Sequence, residues 1–449
     1  MFFQQVVHAD LGCASYVIAS SSGEALVVDP RWEIEPYLDI AADHGFTISR
    51  VVETHNHADH VSGHGKLAAQ TGARILVHEA ADVEFDHVSL RDGDVIDMGD
   101  VRVHVIHTPG HRPEHIALAV EDVTRGAEPW LILTGDSLFV GDVARPDLAV
   151  DGQEGARLLF DSLHSKLLVL PEFAAVYPAH VAGSLCGRVS SEVLSTTLGY
   201  EKRYNHALEI HDRDGFVQYM NENLPQRPPN MARIVRENRG HLRTVEAELV
   251  RLDVEGAAAA EAAGAVPLDV RATDEYLQGH VPRSIHVSVS GPQFGTRAGF
   301  VLPGDAAIMI VARDEAEARR ALTSLRVVAF ENVAGWVAFS EWKVAGKPVA
   351  SIRDAEPHDV ATSGSVLLDV REPSEWAEGM APGAIGIPYR EVGARSGEIP
   401  NGATVAVTCQ SGGRSAIAAS LLERAGFANV TNVAGGMTAW SAAGLPVSG

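Results

Sequence analysis

Thr54-His55-Asn56-His57-Ala58-Asp59-His60 puts three imidazoles and a carboxylate within six residues, from His55 to His60. These side chains are borderline-to-hard metal ligands. A single buried histidine is easily satisfied by one hydrogen bond. Three beside an aspartate would each need a partner of their own. The run therefore reads as metal-binding. Just before it, Arg50-Val51-Val52-Glu53 is short and β-branched, as expected of a strand that ends where the ligands begin.

The same arrangement recurs downstream. Val101-Arg102-Val103-His104-Val105-Ile106 leads into His107-Thr108-Pro109-Gly110-His111, Trp130-Leu131-Ile132-Leu133 leads through Thr134-Gly135 into Asp136, and Ala174-Ala175-Val176-Tyr177 leads through Pro178-Ala179 into His180. Each time a strand-like stretch ends in turn residues and then presents a His or Asp. Ligands at the ends of adjacent strands can converge on one rim of a sheet, held by rigid elements and open to substrate. His44, His78, His87 and His115 lack that combination and read as surface or supporting residues, and His104 as structural.

A chain of 449 residues exceeds one hydrophobic core and predicts two to four domains. The formal net charge of −23 argues against nucleic acid or an anionic membrane as partner, since both require clustered positive charge. No apolar run reaches membrane-spanning length, and no basic stretch followed by an apolar segment opens the chain. The cysteines Cys13, Cys186 and Cys409 are sparse and odd in number, which suits a reducing cytoplasm and no disulfide framework.

The second half repeats itself at an offset of one hundred residues. Val266-Pro267-Leu268-Asp269-Val270-Arg271 returns as Val366-Leu367-Leu368-Asp369-Val370-Arg371, Val281-Pro282-Arg283-Ser284-Ile285 as Ala381-Pro382-Gly383-Ala384-Ile385, and Val333-Ala334-Gly335 as Val433-Ala434-Gly435. A constant offset indicates duplicated domains. Alternating short strands and helical stretches predict a small α/β domain with a mostly parallel sheet in each copy. The expected boundaries are 1–245, 250–350 and 352–449.

The copies differ where chemistry would occur. In the last, Val405-Ala406-Val407-Thr408 runs into Cys409-Gln410-Ser411-Gly412-Gly413-Arg414, followed by a helix. A cysteine in a Gly-rich loop at a helix N-terminus meets inward-facing N–H groups and the positive end of the dipole, which stabilise a thiolate. In the middle copy Ala312 stands opposite Cys409, Glu317 opposite Arg414, and Glu315 and Ala316 replace the loop glycines. Without a nucleophile, that copy reads as a scaffold, or else as a substrate-docking element.

His-x-His-x-Asp-His at 55–60, followed by His111, Asp136 and His180, resembles the metallo-β-lactamase superfamily over about the first 245 residues. The loop at 409–414, with Asp369-Val370-Arg371-Glu372 and Gly435-Gly436-Met437 through Trp440, resembles the rhodanese family. The six-residue loop favours sulfur over phosphate, which the related dual-specificity phosphatases bind with a loop one residue longer. Together the resemblances imply an α/β protein: a metallo-β-lactamase αββα sandwich followed by two rhodanese-like α/β domains, the middle one lacking the catalytic cysteine. Cys409 would carry sulfane sulfur as a persulfide, with Arg414 as the second catalytic residue and Gln410, Ser411, Gly412 and Gly413 cradling the sulfur.

Gly135 to Leu148, with Arg145-Pro146-Asp147, and Tyr200-Glu201-Lys202-Arg203-Tyr204-Asn205 resemble the persulfide dioxygenases. That resemblance implies one Fe(II) per chain on His55, His111 and Asp136, with His57, Asp59, His60 and His180 supporting the ligands or forming a second metal position. A low-molecular-weight thiol persulfide such as glutathione persulfide would react with O2 to give sulfite and thiol, and sulfite would take sulfur from Cys409 to give thiosulfate. Arg145, Lys202 and Arg203 are candidate contacts for a carrier's carboxylates, or ordinary ion pairs. After His180 the chain continues Val181-Ala182-Gly183-Ser184, where many single-domain persulfide dioxygenases have Asp-Tyr, so no tyrosine contact is expected there. Cys186 reads as packed and inert or as sulfur-handling, and Cys13 as a core residue.

Two other readings stay open at this level. A thioester hydrolase like glyoxalase II would use all seven ligands to hold two Zn2+ per chain, with Asp136 bridging. A sulfur-relay protein would bind persulfides without oxidising them. The expected partners are a thiol persulfide, O2 and sulfite; the oligomeric state is not readable from the sequence, and the middle copy is the surface a homo-oligomer could use.

Overall fold

The computed structural model describes every residue except 9, 182–192, 223, 225, 401 and 449, so Cys186 lies outside the described residues. The chain divides into one compact unit of Met1–Glu246 with Val327–Ala329, and a second of Ala247–Arg326 with Phe330–Gly449.

Two six-stranded sheets build the first unit. One runs in the order Phe2–His8, Cys13–Ala19, Glu24–Val28, Thr47–Val52, Arg74–His78, Val88–Leu90. The other runs Thr196–Thr197, Ala175–Pro178, Leu131–Gly135, Ile116–Asp122, Val101–His107, Val95–Asp97. Val101, Val103 and Val105 alternate with outward Arg102 and His104, so one strand face meets the core. Tyr16, Leu26, Val52 and Leu76 of the first sheet pack there against Val103, Leu118, Val120 and Leu133 of the second. Helices cover both outer faces. Ile34 and Tyr37, at the start of Glu35–His44, lie with Leu67 of His64–Thr71 on Val17, Val27 and Val51. Ala156 and Leu159 of Gly152–Ser162 lie with Phe216 and Met220 of Arg213–Asn221 on Ile132 and Val176. The αββα sandwich implied by the sequence is the fold observed.

The second unit holds two parallel sheets of matching order. The first is Ile285–His286, Val266–Asp269, Ile308–Ala312, Val333–Ala338. The second is Ile385–Gly386, Val366–Asp369, Val405–Thr408, Val430–Val433, with Arg353–Ala355 added at the far edge. The Asp-Val-Arg echo has a physical basis. Arg271 binds Asp269 and donates to Gly279 O at 2.7 Å, and Arg371 binds Asp369 and donates to Gly379 O at 2.6 Å. Each arginine pins the turn after the next helix, Thr273–Gln278 or Pro373–Ala377, to the end of the strand before it. Among the described residues, no helix is long and apolar enough to cross a membrane.

Candidate metal centre and sulfur loop

Thr47–Val52 ends at Glu53, and the ligand run follows as irregular backbone over the sheet edge. Asp29, just past the end of Glu24–Val28, anchors that run. It adopts φ 49°, sparsely populated by residues other than glycine, and accepts from Thr54 N at 2.7 Å and from Thr54 Oγ1 at 2.8 Å. With its proton given to Asp29, the Thr54 hydroxyl accepts from His55 Nδ1 at 2.9 Å. His111 Nδ1 likewise donates to the Arg145 carbonyl at 3.0 Å. Both imidazoles thus carry their proton on Nδ1 and turn the Nε2 lone pair inward.

Those two nitrogens meet Asp136. His111 Nε2 lies 3.3 Å and His55 Nε2 3.9 Å from Asp136 Oδ2. One ligand atom from each of His55, His111 and Asp136 fits within a 4.8 Å cluster. His55 Nε2, His111 Nε2 and Asp136 Oδ2 are all buried without a hydrogen-bond partner. Leaving such atoms unpaired costs about 1–3 kcal/mol each, so their convergence fits a bound cation. Burial and the facing histidines hold His55 well below its ordinary pKa, and burial lowers His111. Burial alone would raise Asp136, but His180 and His111 hold it down to about 2. Two neutral imidazoles and a carboxylate are the donor set of a divalent first-row metal.

The other members of the run are tied elsewhere. His57 Nε2 lies 3.3 Å from Asp29 and 3.2 Å from Glu53, and its Nδ1 makes no hydrogen bond but faces Asp59 Oδ1 at 3.9 Å. His180 is clamped from both sides, with Nδ1 2.6 Å from Asp136 Oδ1 and Nε2 2.8 Å from Asp59 Oδ2. Two carboxylate acceptors require both ring nitrogens to carry protons. Against its burial, those carboxylates raise the ring to about 10. Asp59 and His60 form a further group with Cys13, and the Asp59 Oδ1 and His60 Nε2 atoms there are unpartnered.

Two supporting residues went unread in the sequence. Asp29 and Glu53 hold His57, although Ala25-Leu26-Val27-Val28 running into Asp29 shows the same strand-then-acid pattern as the other ligands. His115, left open between surface and support, is fully buried. Its Nδ1 donates to Thr108 Oγ1 and its Nε2 accepts from Asp136 N at 2.8 Å, and burial holds it neutral at about 3. A Cβ on Gly135, at φ 51°, would sit 2.4 Å from that Nε2, so only glycine allows His115 to orient Asp136.

The three cations considered for carrier contacts all form ion pairs. Arg145 is buried, its guanidinium donating to both Asp147 oxygens at 2.7 and 2.9 Å while its carbonyl orients His111. The pair with Asp147 is the ion-pair alternative, and the carbonyl sets Arg145 beside the candidate metal ligands. Lys202 and Arg203 both pair with Glu172, the ion-pair alternative. In the same helix, Glu201 accepts from Gly141 N and Asn205 Nδ2, fastening the loop that follows Asp136.

The cysteine loop ends where helix Gly413–Arg424 begins. Cys409 is buried, and its Sγ accepts from Gly412 N at 3.1 Å and lies 3.4 Å from Ser415 Oγ. The closing segment clasps the loop from behind. Met437 N donates to Cys409 O at 2.7 Å and Thr438 Oγ1 to Gln410 O at 2.9 Å. A Cβ on Gly436 would stand 2.2 Å from Cys409 O, so the close approach requires glycine. Arg414 is bidentate on Glu375 at 2.5 and 2.7 Å, a partner not foreseen in the sequence. The middle copy has Ala312 at the strand end and a buried Glu317 accepting from Arg313 N.

Residues 8–180 match the family model described as Metallo-beta-lactamase superfamily, and residues 355–443 match the Rhodanese-like domain. An uncharacterized protein of Mycobacterium leprae is 32% identical over 230 residues, 44% of this chain and 94% of that protein. A hydroxyacylglutathione hydrolase of Polaromonas sp. is 32% identical, spanning 37% of this chain and 61% of its own length. The mitochondrial persulfide dioxygenase ETHE1 of Homo sapiens is 30% identical, spanning 35% and 59%. Among solved structures, a metallo-beta-lactamase from Staphylococcus aureus subsp. aureus COL superposes with a TM-score of 0.67 at 28% identity. It covers 75% of this chain and 99% of its own.

Proposed function

The chain belongs to the metallo-β-lactamase superfamily and carries a C-terminal rhodanese-like domain, and on that premise we propose that it is a non-haem iron persulfide dioxygenase joined to a sulfurtransferase. The observation that carries this reading is the three-atom convergence of His55 Nε2, His111 Nε2 and Asp136 Oδ2. His180, held as a cation between two carboxylates, is withdrawn from that set. One Fe(II) on two histidines and one carboxylate would supply the open positions at which O2 chemistry on a persulfide sulfur takes place.

The chain's own groups do the rest. Thr54 and the Arg145 carbonyl fix the two imidazoles as Nε2 donors, and His115 holds the Asp136 backbone. Burial of the cluster excludes bulk water and keeps the imidazoles neutral. A thiol persulfide anion, O2 and water are converted to thiol and hydrogen sulfite, with all atoms and charge conserved. At the second centre the Gly412 N–H faces Cys409 Sγ and steadies the thiolate or its persulfide. Sulfite attacks the outer sulfur, the bond to Sγ breaks, and the electron pair returns to Cys409, releasing thiosulfate. The reading places the enzyme in a reducing compartment, with small sulfur anions as its partners.

The unpartnered Asp59 Oδ1 and His60 Nε2 support the second reading, a two-zinc thioester hydrolase. Metal analysis and oxygen uptake separate the two. One iron per chain with O2 consumption on glutathione persulfide supports the dioxygenase. Two zincs with no uptake, and cleavage of S-lactoylglutathione, would replace it.

A further inference from the structure

The middle copy has no nucleophile, yet one of its cations stands at the sulfur loop of the last copy. Arg297, in helix Phe294–Val301, brings Nη1 to 3.8 Å from where a Cβ on Gly413 would stand. Gly413 directly follows the residue whose N–H faces Cys409 Sγ. The same helix packs on the turn Tyr389–Glu391, with the Phe300 ring edge-on to Tyr389 at 6.3 Å and Arg390 5.7 Å from the Phe300 ring. Burial pushes the Tyr389 hydroxyl up to about 12, and the foremost charge opposing that rise is Arg297.

The two copies are fastened at the helix that carries the loop. In helix Gly413–Arg424, Ser420 Oγ accepts from His286 N at 3.1 Å. Glu423 takes His280 Nε2 at 2.7 Å and Arg283 N at 3.0 Å. Several directional bonds between the same elements fix their orientation more than they add stability. They hold Arg297 in register with the loop.

The reaction at Cys409 needs such a charge. Sulfite and thiosulfate are dianions, and the loop's own Arg414 is already neutralised by Glu375. A guanidinium presents a planar fork that suits two oxygens of one sulfonate-like group. We propose that Arg297, contributed by the copy without a nucleophile, determines specificity at the sulfur site by holding the oxygens of sulfite or thiosulfate beside Cys409. The middle copy is then part of the substrate pocket. This rests on the sulfurtransferase reading above. Arg297 takes no part in bond making; it positions the anion while sulfur passes between Cys409 and the sulfite sulfur.

The test compares the full-length wild type with Arg297→Ala and Arg297→Lys. With thiosulfate as donor and cyanide as acceptor, Arg297→Ala should raise the thiosulfate KM about tenfold with kcat within about twofold, and Arg297→Lys should recover part of the loss. A second readout needs no sulfur transfer: Cys409 is alkylated with anionic iodoacetate and with neutral iodoacetamide, each followed on the Cys409 peptide. The iodoacetate-to-iodoacetamide rate ratio should fall about tenfold in Arg297→Ala and little in Arg297→Lys. An unchanged thiosulfate KM or an unchanged ratio overturns the proposal. If the wild type transfers no sulfur at all, the sulfurtransferase reading fails, and the ratio alone decides whether Arg297 selects anions at Cys409.

Discussion

His180 donates from Nδ1 to Asp136 Oδ1 at 2.6 Å, leaving Asp136 Oδ2 as the oxygen that faces His55 and His111. One side chain therefore decides which oxygen is offered to a metal. Replacing His180 by Ala should free Asp136 to rotate and weaken iron binding about 10–100-fold. Metal titration of the apoprotein checks this, and an unaltered affinity would remove His180 from the support of the site.

His111→Ala removes a convergent nitrogen and should abolish stoichiometric iron and oxygen uptake. Sulfur transfer from thiosulfate to cyanide should persist, because Cys409 sits in a separate sheet system. Iron content and the two activities, measured on one preparation, show whether the losses separate. Oxygen uptake at the wild-type rate would refute the ligand assignment.

Cys409→Ser keeps the loop's shape and removes the proposed sulfur carrier. With glutathione persulfide and O2, the wild type should accumulate thiosulfate and the variant sulfite. Ion chromatography of the products distinguishes them. Thiosulfate at wild-type yield from the serine variant would assign the transfer to another group.

Gly436→Ala drives a methyl into the Cys409 carbonyl, where the available distance is 2.2 Å. The backbone has to move, at a cost of about 2–4 kcal/mol. A lowered melting temperature with loss of sulfur transfer and intact oxygen uptake is expected. A variant as stable and active as wild type would show that the clasp can open freely.

The Arg414–Glu375 pair gives a pH signature. Burial would raise the Glu375 carboxyl, but bonding to Arg414 more than offsets this and holds it below its ordinary 4.5. A carboxyl depressed in the folded state contributes stability above its unfolded value and loses it as pH falls through the folded one. Glu375→Gln should therefore melt below wild type at neutral pH, the gap closing once the pH drops under about 4.5. A constant gap down to acid pH would mean the charge is not its source.

Much of the metal site was legible because its ligand types are rare in clusters and follow strand ends. His55, His111 and Asp136 come from three strands of two sheets, yet each bears the same strand-then-turn mark. The supports were harder to read. Asp29 lies 25 residues from Thr54 in sequence and meets it only through the parallel pairing of Glu24–Val28 with Thr47–Val52. Arg145 was read by its charge, whereas its backbone carbonyl orients His111, and a carbonyl leaves no trace in residue type. Glu375 carries no mark beyond its place in the first turn of a helix; only the fold brings it to Arg414. The cysteine loop was legible because its distinguishing residues are consecutive, Cys409 to Arg414.

The paired latches, Arg271 on Asp269 and Gly279, Arg371 on Asp369 and Gly379, give the molecule an internal control. Equivalent lesions in the two twins impose comparable mechanical insults on frames of matching strand order. Whatever Arg271→Ala and Arg371→Ala share reports the frame itself. Whatever separates them reports only what the cysteine-bearing twin has kept, so this one polypeptide can subtract its own architecture from its chemistry.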